Sequence, residues 1–211
     1  MRRTAFISIA VIVLFLIAYG DKVKDRNKII EARRFSAARA AGGRVKVSVR
    51  GHVYSIDLYE YPNVPGGLPE GGMTFEAARR ACRRAGKRLC TNEEWTEACM
   101  GMQLDRYAYG GVFHKDACNN LHGDRRVAPS GAFKRCRTET GIYDMAGNLW
   151  EWVAPSATGA WLAKGGSYRD GEISERCEFT FKLFAVQEKH LAFDNFGTRC
   201  CGDAAKTPSQ D

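Results

Sequence analysis

The sequence predicts an α+β domain of two helices, short strands and much irregular loop, stapled by disulfides. Three observations carry that prediction. Valines alternate with polar residues around position 45, two capped amphipathic segments follow, and eight cysteines occupy the later part of a 211-residue chain. A chain of this length has room for one ordinary domain with extensions.

Taken in order, the elements begin with Met1-Arg2-Arg3 and an uncharged run at residues 4–20 that ends Ala18-Tyr19-Gly20. A basic start before such a run marks a secretory signal or an N-terminal membrane anchor. The run is long for a signal and at the short edge of a bilayer span, which favours an uncleaved anchor. The small residues Ala18 and Gly20 permit cleavage before Asp21. Either way the domain is exported, anchored with the domain in the periplasm or extracellular space, or secreted if cleaved after Gly20. Residues 21–43 are basic and alanine-rich, and read as a helical stalk or linker ending at Gly42-Gly43. Its lysines and arginines suit anionic headgroups or plain solvent.

Val45, Val47 and Val49 then mark a half-buried strand, and a loop rich in Pro and Gly follows Tyr61. The first helix starts after Thr74 as N-cap and stops at Gly86. Phe75, Ala78, Cys82 and Ala85 share one face, and arginines fill the other. Thr91 with Glu94 three residues on is a capping box for the second helix, whose buried stripe is Trp95, Ala98 and Cys99. Beyond Gly101 short apolar runs alternate with Gly, Asn, Asp and Pro, the pattern of loops and short strands. The domain spans residues 44–202, and residues 203–211 read as a disordered tail.

Charge and cysteine usage bound the function. The net charge is +8, yet residues 1–50 hold 12 Lys/Arg against 3 Asp/Glu, whereas residues 51–211 hold 20 against 21. The domain is neutral, which argues against nucleic acid as partner, because phosphate binding needs a basic patch on the fold itself. The even number of cysteines in an exported chain reads as a disulfide framework. A zinc site is disfavoured because no Cys-x-x-Cys pair exists and the histidines lack ligand spacing.

The strings AGKRLCTNEEWTEAC, YDMAGNLWEWV, AKGGSYRD and NFGTRCC, in this order and preceded by IDLYEY, resemble the formylglycine-generating enzyme (sulfatase-modifying factor) domain. The likeness runs from about Val53 to Cys201. It implies the formylglycine-generating-enzyme-type variant of the C-type-lectin fold, with Cys82 paired to Cys200 and Cys99 to Cys177. Cys90 and Cys201 are left to pair beside the first bridge, and Cys118 with Cys136 by parity.

The chain departs from that family where the enzyme's two reactive cysteines stand. Counting from Ser167, those positions are Asp170 and Glu175. Carboxylates are hard oxygen ligands, whereas Cu(I) selects soft thiolates, so copper-dependent thiol oxidation is not expected. Asp170 and Glu175 are candidates for an acid/base pair, although two acids in a polar loop are more often solvated surface. Only His52, His114, His122 and His190 are present, without a ligand cluster, so no iron is expected either. Ser167 alone lacks the partners of a hydrolase.

The resemblance implies calcium at Asp144, Gly147, Leu149 and Glu151, a set of hard oxygens from a tight turn. It implies a second, weaker calcium site at Asn120, Leu121 and Asp124. The plainer alternative for Asp144 and Glu151 is a hydrogen-bonded turn without metal. The expected role is a binding or structural module at the cell envelope, with the membrane met through the N-terminal segment and a protein or glycan as possible ligand. The alternative is an enzyme of the same family with an altered site around Ser167, Asp170 and Glu175.

Overall fold

The computed structural model describes residues 26, 29, 36–40, 43–183 and 192–203. The apolar run at 4–20, most of the basic stretch, His190 and residues 204–211 lie outside that set. Among the described residues no helix is long and apolar enough to cross a membrane.

Two sheets organise the chain. β1 (Ser36–Ala40), β2 (Arg44–Val49) and β3 (His52–Asp57) form an antiparallel meander. Arg26 and Ile29 are helical, but Ser36–Ala40 is a strand, which corrects the reading of 21–43 as a helical stalk and moves the domain's start to Ser36. The physical reason is non-local. Without β1 the outer edge of β2 would present unpaired N–H and C=O groups. Pairing Ser36 with Ser48 through to Ala40 with Arg44 satisfies them, and this outweighs the modest helix preference of alanine. Val45 and Val47 are fully buried, as their alternation requires. Arg50 and Gly51, with φ of 50° and 85°, turn the chain from β2 into β3 as a hairpin.

α1 (Phe75–Arg84) begins at its Thr74 cap, whose side chain accepts from the Ala77 N–H, and ends before Gly86, which sits at φ 68°. Its buried face is Phe75, Ala78, Ala81 and Cys82, whereas Ala85 is exposed, a shift of one turn from the expected stripe. β4 (Arg88–Leu89) leads to α2 (Asn92–Met100), which carries the complete Thr91–Glu94 capping box and buries Trp95, Ala98 and Cys99. From Gly101 to Leu149 the chain runs in turns and isolated bridges. The second sheet is β5 (Trp150–Val153), β6 (Trp161–Lys164), β7 (Phe181–Leu183) and β8 (Phe196–Thr198), in the order β7-β6-β5-β8 with only β5 and β8 parallel.

β9 (Cys200–Asp203) closes the first sheet by lying between β3 and β4, so Asp203 belongs to the domain rather than to a tail. Four disulfides pair Cys82 with Cys200, Cys90 with Cys201, Cys99 with Cys177 and Cys118 with Cys136, and no described cysteine is free. The first two sew α1 and β4 to the last strand across 118 and 111 residues. Taken alone, a cross-link of such span removes chain entropy worth about 5 kcal/mol, against about 3 kcal/mol for the 18-residue Cys118–Cys136 loop.

The core has two parts. Val45, Val47, Ile56, Trp95, Ile142 and Met145 fill the space between the first sheet, α2 and the loops. Phe75, Trp150, Trp152, Trp161 and Phe196 form an aromatic core between α1 and the second sheet. There Phe75 stacks on Trp161 at 5.1 Å and meets Trp152 edge-on at 6.0 Å. This aromatic mass places β5, and with it the turn that precedes it, against rigid neighbours.

Candidate functional site

The turn before β5 is built from left-handed residues, with Asp144 at φ 57°, Gly147 at 71° and Asn148 at 59°. Gly147 is required sterically, since a Cβ there would sit 2.1 Å from the Asn119 carbonyl oxygen. Asn148 then knots three segments. Its Nδ2 donates to Glu60 Oε2 at 2.6 Å, and its Oδ1 accepts from Asn119 Nδ2 at 2.8 Å and from the Ala128 N–H at 2.9 Å. Glu60 Oε1 accepts from the Leu149 N–H at 3.1 Å.

Glu151, fully buried on β5, is held by Arg199. The guanidinium donates through Nε and Nη2 at 2.8–3.1 Å, and Trp95 Nε1 adds a bond of 2.6 Å. Arg199 also donates to the Asp57 and Tyr143 carbonyls at 2.9 and 2.7 Å. Burial alone would pull the arginine's pKa down, but the charge and bonds of Glu151 outweigh it and raise it. Glu60, Asn148 and Arg199 were not singled out from the sequence as site residues. Each lies inside a motif quoted there, and the available signal is a charged or amide residue within an otherwise apolar, tightly turned string.

Three buried carboxylates, Glu60, Asp144 and Glu151, therefore share one buried guanidinium. Burial, with Asp144 and Glu151 nearby, pushes Glu60 well above the ordinary carboxylate range. Burial raises Asp144 to about 6, against the pull of the Gly131 N–H, which Asp144 Oδ2 accepts at 2.7 Å, and of Arg199. Among the described residues no three His, Cys, Asp or Glu side chains converge to hold a metal ion. Of the calcium set that the resemblance implies, Asp144 stands beside two further buried acids and offers a hard-oxygen donor. The excess of negative charge and the hard oxygens fit such a cation. Glu151 fits less well, since both its oxygens are already bonded.

The second expected calcium set is not assembled in the same way. Asn120 is buried and uses both ends of its amide, donating to the Lys115 carbonyl at 3.1 Å and accepting from the His122 N–H at 3.0 Å. Leu121 donates its N–H to the Asp170 carbonyl, and Asp124 is exposed against Arg126.

Ser167, Asp170 and Glu175 lie together downstream of Gly165-Gly166, and they differ sharply. Ser167 is fully buried. Its hydroxyl donates to Asp170 Oδ2 at 2.5 Å and accepts from Asn195 Nδ2 at 2.9 Å, while its N–H donates to the same Asp170 oxygen at 3.0 Å. Asp170 is thus the closing bond of a local turn. Glu175 is fully buried with no hydrogen-bond partner on either oxygen. Asn120 and Tyr109 face it and ease its charge without reaching bonding geometry, and burial raises its pKa to about 7. Trp150 is 5% exposed and packed against Phe179, Phe181 and Phe196.

Just before the Gly pair, Lys164 is fully buried on β6. It donates to Thr180 Oγ1 at 3.1 Å and lies 5.3 Å over the Trp95 ring, with its pKa lowered to about 8 by burial. His52 bonds Glu94 at 2.9 Å on the first sheet, far in sequence from His114 and His122, which join the aromatic loop of Tyr109 and Phe113.

The open clefts lie elsewhere. One of about 600 Å³ is walled by Asp105, Tyr109, Lys134, Arg137 and Glu139, another of similar size by Leu68, Asp124, Arg126 and Phe133. Neither these two nor two further clefts among the described residues are lined by Ser167, Asp170 or Glu175.

This combination, two helices, two small sheets, long bridged loops and a buried Glu151–Arg199 pair behind the turn, defines a C-type-lectin-like domain of the formylglycine-generating type. The chain belongs to the family of sulfatase-modifying factor enzyme 1-like domains, whose family model matches residues 58–204. It is 29% identical over 162 residues to the inactive C-alpha-formylglycine-generating enzyme 2 of Bos taurus, covering 68% of this chain and 53% of that protein. It is 35% identical over 96 residues to hercynine oxygenase of Mycolicibacterium smegmatis, covering 43% of this chain and 22% of that protein. The chain spans about half the length of the formylglycine-type relatives it matches. Among solved structures, Treponema denticola variable protein 1 superposes with a TM-score of 0.59 at 14% identity, covering 80% of this chain and 91% of that one. PvdO from Pseudomonas aeruginosa does so with 0.52 at 15% identity, covering 84% and 76%. At such identities these structures speak for the fold alone.

Proposed function

We propose that this chain is an exported, disulfide-stapled binding or structural module of the cell envelope that does not generate formylglycine. The observation that carries this is chemical. All eight cysteines are in disulfides, and the two positions where the resemblance implies reactive thiols hold Asp170 and Glu175. Thiol oxidation on Cu(I) requires soft thiolate ligands, and neither carboxylate supplies one. Asp170 is tied to Ser167, and Glu175 is fully buried. Four disulfides fit an oxidising compartment, and the apolar run at 4–20 supports export. The name of the bovine relative, an inactive enzyme, agrees with this reading.

The test is direct. The full chain, supplied with copper and a cysteine-bearing sulfatase-type peptide, should yield no aldehyde product by mass spectrometry. Conversion of that peptide by the unaltered chain would overturn the proposal.

We also propose that calcium occupies the turn, held by Asp144 and the Gly147 and Leu149 carbonyls and neutralising the buried acids. When bound, the ion supplies charge compensation and rigidity. Adding calcium to chelator-treated protein should raise Tm, and Asp144→Ala should abolish the rise. An unchanged Tm in the parent protein would dismiss the ion.

A further inference from the structure

The outer face of α1 carries Arg79, Arg80, Arg83 and Arg84, all exposed, against one acid on that helix, Glu76. Beside it lies a cleft of about 350 Å³, large enough for a small ligand. Its floor is apolar. Phe75 and Leu89 are backed by the aromatic core, and Ala154 with Pro155 forms the far wall, fixed by the Ala154 N–H bond to the Cys90 carbonyl at 2.8 Å. Its rim is cationic, made by Arg79, Arg83 and Arg88, and no carboxylate is among its lining residues.

The three guanidinium groups are not equivalent. Arg88 is clamped by Glu94 at 2.6 and 2.7 Å and by Asp203 at 2.7 Å, so it is a fixed wall whose charge is already matched. Arg79 pairs with Glu76 in an exposed contact of 2.8 Å, which solvent weakens. The Arg83 side chain has no partner among the described residues. Thr91 accepts from the Glu94 N–H through its oxygen, which leaves the hydroxyl hydrogen free to donate into the cleft.

We propose that this cleft binds a small soluble organic anion, with the apolar body over Phe75 and Leu89 and the anionic group on Arg83 and Arg79. An aryl or short alkyl sulfonate, sulfate or carboxylate has this chemistry. Charge complementarity selects the anion, since Arg83 has no counter-charge among the described residues and no carboxylate lines the cleft. The apolar floor selects a body beyond a bare ion. The site is separate from the Ser167 segment and holds whether or not the domain is catalytic.

Isothermal titration of the full chain with naphthalene-2-sulfonate tests it. Saturable one-site binding is expected. The R79A/R83A variant should bind about tenfold or more weakly, as should naphthalene-2-methanol and inorganic sulfate on the unaltered protein. Both arginines are exposed, so the variant should unfold at the parent temperature, and this control is read in the same preparation. Three results overturn the proposal: no binding of the sulfonate, equal binding by the variant, or equal binding of either partial probe. Equal binding of the alcohol would leave a purely apolar site, and equal binding of sulfate a bare charge site.

Discussion

Two carboxylates lie buried on either side of the Gly165-Gly166 turn, Glu151 on β5 and Glu175 in the loop before Cys177. Their exposures are 1% and 0%. Glu151 meets a guanidinium and an indole N–H, so its charge is matched where it lies. Glu175 has Asn120 and Tyr109 facing it but neither in bonding geometry, and burial raises its pKa to about 7. The difference shows which part of a family scaffold is structural. The Glu151 centre ties β5, α2, the link between β8 and β9 and the turn together, whereas Glu175, where the resemblance implies a reactive thiol, is a buried acid without a hydrogen bond.

The comparison breaks most violently at Arg199. Arg199→Met leaves Glu151, with Glu60 and Asp144 near it, as buried acids without a counter-charge. The expected loss is about 3–5 kcal/mol, enough to abolish folded yield of a marginally stable domain. The double variant R199M/E151L should recover much of it in urea unfolding. Equal losses in the single and double variants would show that packing, and not charge, is what Arg199 supplies.

Glu175 should respond in the opposite sense. Its folded pKa of about 7 lies above the ordinary 4.5, so the folded state holds the proton more tightly. Its share of stability is therefore complete below about pH 4.5, falls as pH rises to about 7 and is flat above. The fall amounts to about 3 kcal/mol. Glu175→Gln should remove that slope and be the more stable protein at pH 8, measured by urea unfolding across the range. An unchanged slope would mean that Asn120 and Tyr109 satisfy the charge after all.

The smallest effect belongs to a helix cap that bonds neither acid. Thr91→Ala removes one half of the α2 capping box and should cost about 1 kcal/mol by the same measurement. It should do so equally at pH 5 and pH 8, which separates a cap from a titrating group.

The elements legible in the sequence are those whose signal is local. Thr74 and Thr91 cap helices through bonds to N–H groups three residues away, and Val45 and Val47 face inward because strand side chains alternate. The cysteine partners were legible only through the family likeness, since parity alone leaves the pairing open. Of the candidate site, Asp144 and Glu151 were legible as residues of a tight turn. Their partners were not, because Glu60 and Arg199 reach this turn across 88 and 48 residues.

By itself, then, the sequence determined the two capped helices, the inward face of β2 and the disulfide-rich class. Each follows from residue identity or from contacts within a turn. Tertiary structure alone decided that Ser36–Ala40 is a strand, that Arg199 neutralises Glu151, that Asp170 closes a turn and that Glu175 is buried without a partner. The reason is that edge pairing and local dielectric are set by neighbours distant in the chain. The same acidic side chain is solvated, ion-paired or protonated according to what the fold packs around it.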